Sequence, residues 1–398
     1  MFWRQLKRWE ISASTGSHFD VLDGLRGVAI LLVVSFHTFY TNPEGGMFSQ
    51  LAGYIFAAGW MGVPVFFVLS GFLISHPFFK GRETAPGFWY QRGYAWRRMA
   101  KIFPPFYLSL IIFLVPCLWF QDLAALDAAW KWATGLANFI ETRSGFGPCY
   151  WSLIVESHFY LLLPLLFWLT RGRTATTTGV VIFTILFFIP LLARHFTWPA
   201  GMLTWPDADR MYTCVWLFRR FPSQLDYFAW GVLFAGIYSG LGEARAQARA
   251  LSVLGYAGAA LMVVALLFWG YWVNEFGVRE HPNRWSVEAS HLLPALATML
   301  MLFFVFDQES WGSKFLSQGW LRFTGLISYE WFLFHGTVVL WFHEHYGAAH
   351  GSVLAYAWRT LVPLAATFIF SALVYRYFSL PIMNRVRDRL KKNNHVRR

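Results

Sequence analysis

Asp23, Arg26 and His37 stand in LDGLRGVAILLVVSFH, residues 22–37, a stretch whose other residues are almost all apolar. Ionisable groups inside a bilayer are costly, and by default they mark a functional path or a buried partner. Arg26 and His37 are eleven residues apart, which on an α-helix puts them about 20° from a common line and roughly 16 Å apart along the axis. Asp23 falls about 40° from the same line, so the three groups form one polar stripe that must face away from lipid. Near neutral pH an imidazole removes a proton from a hydroxyl or accepts a group covalently. A guanidinium holds anions, phosphates in particular. Glu156, in YWSLIVESHFYLLLPLL (150–166), is the next candidate. It lies roughly 9 Å inside the end of its helix, a depth similar to that of His37. A carboxylate there would fix the imidazole tautomer and stabilise the imidazolium. Taken alone, these residues also fit a plainer reading, in which Arg26 snorkels to the lipid surface, His37 hydrogen-bonds between helices and Glu156 pairs with Arg219 or Arg220.

The elements that position them are read from composition. Apolar residues make up 57% of the 398-residue chain and charged residues 14%, with 41 Phe and 22 Trp, which disfavours a soluble domain. Apolar runs of about 20 residues recur from end to end, the length that crosses a bilayer as a helix. The expected fold is an all-α, polytopic membrane helix bundle of ten helices, at 22–40, 54–76, 102–120, 150–169, 178–194, 222–240, 251–273, 289–306, 323–345 and 353–378. An even number of spans puts both termini on one side. The segments on the side of the termini carry 22 Lys and Arg and the opposite segments 7, so the positive-inside rule makes both termini cytoplasmic. The first run is too long and too charged for a cleavable signal, and is expected to be a permanent helix.

The same asymmetry explains most of the net charge of +12. The tail NRVRDRLKKNNHVRR is a topology anchor at an anionic membrane-lipid surface, with no nucleic-acid partner needed. One domain is expected: a cytoplasmic segment 1–21, a transmembrane unit 22–378 and a basic cytoplasmic tail 379–398. Three cysteines exclude a disulfide scaffold. Cys149 and Cys214 both fall in outer segments, where an oxidising compartment would permit a bridge, whereas Cys117 reads as a small buried apolar residue. No CxxC, HExxH or comparable spacing supports a metal site.

Five motifs in order resemble the acyltransferase-3 family of integral membrane acyltransferases. They are FDVLDGLRGVAILLVVSFH (19–37), GVPVFFVLSGFLIS (62–75), WRRMAKIFPPFY (96–107), YWSLIVESHFYLLLPLL (150–166) and ISYEWFLFH (327–335). In that family an Arg and a His separated by ten residues serve activity, which the resemblance carries to Arg26 and His37. Departures are visible. The common Arg-x-x-Arg pair is Arg98-x-x-Lys101 here, which keeps charge but loses one planar fork. Ser157 follows Glu156 where many members have a second acid, and Pro64 stands where an acidic residue is common. The length leaves no room for the extracytoplasmic hydrolase-like domain fused to some members, so a stand-alone member is expected.

The resemblance implies an enzyme that moves an acyl group, acetyl by default, from cytoplasmic acyl-CoA to a hydroxyl outside. The implied acceptor is an extracytoplasmic carbohydrate or glycoconjugate such as cell-envelope polysaccharide, and the expected place is the cytoplasmic (inner) membrane. His37 and Glu156 are the expected catalytic residues, His37 as base or acyl acceptor. Arg26, Arg98 and Lys101 are expected to bind the phosphates of the donor. Asp23, Tyr329 and His335 are supporting candidates, the last two along the path between donor and acceptor. The rival class is a proton-coupled transporter using buried Arg, Glu and His. It predicts inverted repeats around a midplane site, and the sequence shows no persuasive repeat.

Overall fold

Asp20 and Asp23 open the first helix, α1 (Asp20–Thr38), and His37 lies in its last turn. This charge order complements the helix dipole. The computed structural model describes residues 20–38, 53–81, 88–119, 122–140, 149–197, 219–241, 248–276, 284–346 and 353–395, and every regular element among them is helical. A turn of helix over residues 53–57 and a 3₁₀ turn at Gly59–Met61 lead into α2 (Gly62–Gly81). The chain continues through α3 (Phe88–Trp119), α4 (Leu123–Thr134), α5 (Tyr150–Leu169), α6 (Ala175–Thr197), α7 (Leu225–Gly240), α8 (Ala248–Phe276) and α9 (Arg284–Met301). Two short helices, α10 (Trp311–Leu316) and α11 (Gly319–Leu326), precede α12 (Ser328–Tyr346). Last, α13 (Val353–Val374) runs through a π turn at Tyr375–Ser379 into α14 (Leu380–His395).

Each of the ten expected spans overlaps a helix, and the chain is an all-α polytopic membrane protein. Among the described residues, eight helical stretches are long and apolar enough to cross a bilayer. At 16 residues, α7 is shorter than a full crossing. Three boundaries differ from expectation for local reasons. The basic segment before residue 102 is helical from Phe88, so α3 carries Arg98 and Lys101 on the same rod as its membrane portion. The span expected at 323–345 is interrupted at Ile327, which caps α11 while its carbonyl accepts from the Trp331 N–H of α12. The expected loop after α3 contains α4, capped by Asp122, whose side chain accepts from the Ala125 N–H at 3.0 Å, and closed by Gly135 at φ 77°.

Two apolar clusters meet on α1. Leu22, Leu25 and Ala29 belong to the one built from α2, α7 and α9; Ile30, Val33 and Val34 belong to the one built from α3, α4, α5 and α12. Helix α1 packs against α2, α11 and α12, so its polar stripe is enclosed by protein. Two glycines set the closeness of this packing. A Cβ at Gly325 of α11 would lie 1.9 Å from the Asp23 carbonyl oxygen, and one at Gly62 would lie 2.2 Å from that of Ala29. Neither site admits a side chain without moving a backbone.

Candidate functional site

The helical stripe on α1 divides into two stations. At the first, half-buried Arg26 lines two adjoining cavities together with Ser70 of α2, Glu156 of α5 and Tyr329 of α12. One, of ≈ 50 Å³, extends past Ser152 and Phe332. The other, of ≈ 30 Å³, is closed by Arg98, Lys101 and Tyr160. The chain therefore brings Arg26, Arg98, Lys101, Glu156 and Tyr329 to one place from four helices. Lys101 feels the charges of Arg26, Arg98, Glu156 and Glu330. The Arg98 guanidinium sits between two aromatic rings, 5.7 Å from the centre of Tyr94 and 5.8 Å from that of Tyr160, a cation–π setting that fixes its plane. Glu156 accepts hydrogen bonds from the Ser70 hydroxyl and, at 2.5 Å, from the Tyr160 hydroxyl. Tyr329, buried, donates to the Ile102 carbonyl at 2.8 Å and ties α12 to α3. Asp23 stands one turn before Arg26, where α11 crosses α1, outside the walls of these two cavities.

At the second station His37 meets His335 of α12, with the His335 Nε2 at 3.2 Å from the His37 Nδ1. The tautomers follow from the neighbouring carbonyls, which can only accept. The His37 Nδ1–H donates to the Val33 carbonyl at 2.8 Å, and the His335 Nδ1–H donates to that of Trp331 at 2.9 Å. Each neutral ring then carries its lone pair on Nε2. That of His335 faces His37 and also the Cys149 thiol, whose Sγ is 3.8 Å away. That of His37 is left as a base. Cys149 and His335 are buried and His37 is half-buried.

The expected His37–Glu156 pair is not formed. His37 meets His335 and the Val33 carbonyl, whereas Glu156 meets Ser70 and Tyr160. Cys149 marks the level of His37 on α5, and Glu156 follows seven residues later, roughly 10 Å further along the axis. Depth counted from a helix end fixed neither its height nor its facing. Among the described residues Cys149 has a free thiol; Cys214, its partner in the bridge considered from sequence, lies outside them. One ligand atom from each of His37, Cys149 and His335 lies within 4.8 Å of the others, a grouping that could hold a metal ion and that spacing along the chain does not reveal. Sequence reasoning did not assign Ser70, Tyr160 or Cys149 to the site. The first two sat unremarked in the quoted motifs of α2 and α5, and Cys149 lies two residues before Trp151 of the second of these.

A third polar group lies apart from both stations. Buried Arg194 of α6 donates to Asp226 of α7 at 3.0 Å, to both carboxylate oxygens of Glu288 of α9 at 3.1 and 2.6 Å, and to the Ser223 carbonyl at 2.7 Å. His291 of α9 faces Asp226 at 3.1 Å and stacks on the Tyr227 ring. One guanidinium thereby joins three helices.

Comparison with known proteins agrees with the motif order. The acyltransferase-3 family model, described as an acyltransferase domain, matches residues 19–376. A Staphylococcus aureus protein with a provisional O-acetyltransferase name is 23% identical over 377 residues, covering 90% of this chain and 56% of its own length. The peptidoglycan O-acetyltransferase OatA of Listeria monocytogenes is 22% identical over 384 residues, covering 91% and 55%. The O-acetyltransferase OatA of Staphylococcus aureus is 22% identical over 384 residues, covering 91% and 56%. The chain thus spans about half the length of these relatives. No solved structure matches it. With the family's five motifs in order, its Arg and His on one polar stripe and its model matched over nearly the whole chain, the protein belongs to the acyltransferase-3 family.

Proposed function

We propose that the protein is a membrane O-acetyltransferase that takes an acyl group from acyl-CoA at the Arg26 station and delivers it to a hydroxyl at the His37 station. The observation that carries this reading is the division of α1: Arg26 opens onto the cavities that Arg98 and Lys101 share, and His37 presents a lone-pair nitrogen roughly 16 Å further along the same helix. The charge asymmetry of the loops supports a cytoplasmic Arg26 end, where acyl-CoA is available, and an outer His37 end. The two OatA relatives, one of them named for peptidoglycan, support an extracytoplasmic glycan or glycoconjugate as acceptor. The membrane is then the cytoplasmic one, and acetyl is the donor group.

In this scheme the phosphates of the donor rest on Arg26, Arg98 and Lys101, as charge-assisted hydrogen bonds favour. The thioester enters past Phe332 and Ser152 toward His335 and Cys149. The His37 Nε2 takes the proton of the acceptor hydroxyl, while the Val33 carbonyl holds the ring in the required tautomer. The His335 lone pair faces the His37 Nδ1–H and stabilises the imidazolium. Glu156 is a positioning residue, holding Ser70 and Tyr160 at the donor cavity.

The test uses detergent-purified protein, wild type and His37→Ala, with acetyl-CoA carrying a labelled acetyl group and a panel of envelope glycans. The expected result is multiple-turnover thiol release and labelled glycan with the wild type, both lost in a folded His37→Ala protein. Transfer that survives in His37→Ala refutes the assignment of the base, and absence of thiol release from the wild type with every glycan refutes the reaction.

A further inference from the structure

The carbonyl bonds that leave His335 with a lone pair on Nε2 also give that lone pair two neighbours: the His37 Nδ1–H at 3.2 Å and the Cys149 Sγ at 3.8 Å. A thiol beside an imidazole lone pair is the arrangement that makes a cysteine nucleophilic. The direct reaction described above uses the His37 Nε2 and leaves this thiol without a task. Cys149 is buried and packed at the foot of α5. Its carbonyl accepts the hydroxyl of Ser152, a wall residue of the cavity that begins at Arg26. On the other side Phe332, also in that wall, has its ring centre 5.9 Å from that of His335. The thiol therefore sits where the donor cavity ends and the hydroxyl station begins.

Two kinds of ligand suit a His–Cys–His group, a soft metal ion or an electrophilic carbon. One observation favours the carbon. The Arg219 charge acts on both Cys149 and His37, which opposes a cation bound between them.

We propose that Cys149 is the acyl relay of this enzyme, carrying the group as a thioester between the two substrates; this rests on the acyl-transfer reading above. In the first half-reaction the His335 Nε2 accepts the Cys149 thiol proton, the sulfur attacks the carbonyl carbon of acyl-CoA, and the carbon–sulfur bond to CoA breaks. The CoA thiolate leaves with the proton from His335. In the second, the His37 Nε2 takes the proton of the acceptor hydroxyl, whose oxygen attacks the acyl–Cys149 carbonyl. The Cys149 thiolate leaves and regains a proton passed from the His37 Nδ1 to the His335 Nε2 and on to sulfur, and loss of the Nε2 proton to water with uptake of one at Nδ1 returns His37 to its starting tautomer. One thioester is exchanged for another and then for an ester, with no change of oxidation state. Each substrate needs to reach only its own face of the sulfur, so the two never have to occupy the protein together.

The relay makes His37 unnecessary for the first half-reaction, and this supplies the test. Full-length purified protein is incubated with acetyl-CoA labelled in the acetyl group, without acceptor, quenched in acid and digested for mass spectrometry. The wild type is expected to carry label on Cys149, released by neutral hydroxylamine, and to exchange free labelled CoA into acetyl-CoA. His37→Ala is expected to accumulate acyl-Cys149 toward one per chain while glycan transfer is lost. Cys149→Ala is expected to lose label, exchange and transfer together. Should Cys149→Ala fail to fold, the label and exchange measured on wild type and His37→Ala still decide. Glycan transfer by Cys149→Ala within twofold of wild type overturns the relay while leaving the acetyltransferase reading standing. So does a transferring wild type that yields label on His37, or no label and no CoA exchange. Absence of thiol release with every glycan instead removes the reaction on which the relay depends.

Discussion

Neutralising Lys101 separates donor binding from chemistry in a way that kinetics can read. Lys101 lines the cavity with Arg26, Arg98 and Glu156, and the helical rise puts that level of α1 roughly 16 Å from His37. A phosphate held there contributes equally to ground state and transition state, because the reacting carbonyl is at the other station. Removing one charge-assisted hydrogen bond costs about 1.5–3 kcal/mol, which is roughly a 10- to 150-fold rise in the KM for acyl-CoA with kcat nearly unchanged. Lys101→Gln keeps most of the aliphatic stem and a polar end while removing the charge, so packing between α3 and its neighbours is largely preserved. Steady-state thiol release across a range of acetyl-CoA concentrations measures both constants, and a donor lacking its phosphates provides the control, since it should not distinguish Lys101→Gln from wild type. A fall in kcat at unchanged KM would refute the assignment, because it would place Lys101 in the transition state rather than under the phosphates.

Other outcomes follow from the same geometry. His37→Ala should lower glycan transfer by about 10²- to 10⁴-fold, the usual worth of a general base, with the thermal transition in detergent unchanged. Arg194→Ala leaves Asp226 and Glu288 without their shared guanidinium, and removing one partner of such a buried group costs about 3–5 kcal/mol; a large fall in the unfolding temperature checks it, and an unchanged one contradicts the structural role. Gly325→Ala drives a Cβ to 1.9 Å from the Asp23 carbonyl oxygen, an overpacking cost of about 1–3 kcal/mol, read as a lower transition temperature. Tyr329→Phe removes the donor to the Ile102 carbonyl at a cost of about 1 kcal/mol, and a fall in stability without a change in the site of acyl labelling is expected.

The placement of Arg26, Arg98 and Lys101 together was legible because it rests on local rules. Helical period puts Arg26 on the stripe, loop charge puts the Arg98 segment at the same face, and neither needs knowledge of a partner helix. His37 was legible for the same reason. Its partner was not: His335 lies 298 residues away, and a span's depth gives no azimuth. Glu156 illustrates the loss, since its turn of α5 faces Ser70 and Tyr160 at the donor level instead of His37. Compartment chemistry only permits Cys149 a bridge and says nothing of His335, whose contact is set by how α5 and α12 pack. The break at Ile327 escaped because residues 323–345 contain no proline and are rich in apolar residues on both sides of it, and hydropathy alone cannot distinguish one helix from two. Much of the expected outer loop 195–221, with its Trp198, Trp205 and Trp216, lies outside the described residues.

An uninterrupted helix is a poor hinge and a good ruler. Because α1 carries both stations without proline or any break, the spacing between them is written in residue count and cannot be tuned by side-chain substitution. One inserted residue between Arg26 and His37 would turn the imidazole by about 100° and advance it by about 1.5 Å, taking it off His335 while every chemical group remained present. Substrate preference can therefore drift through cavity walls and loops, but the donor-to-acceptor distance is a quantised property of this fold, and length change in α1 is the one class of variation it should not tolerate.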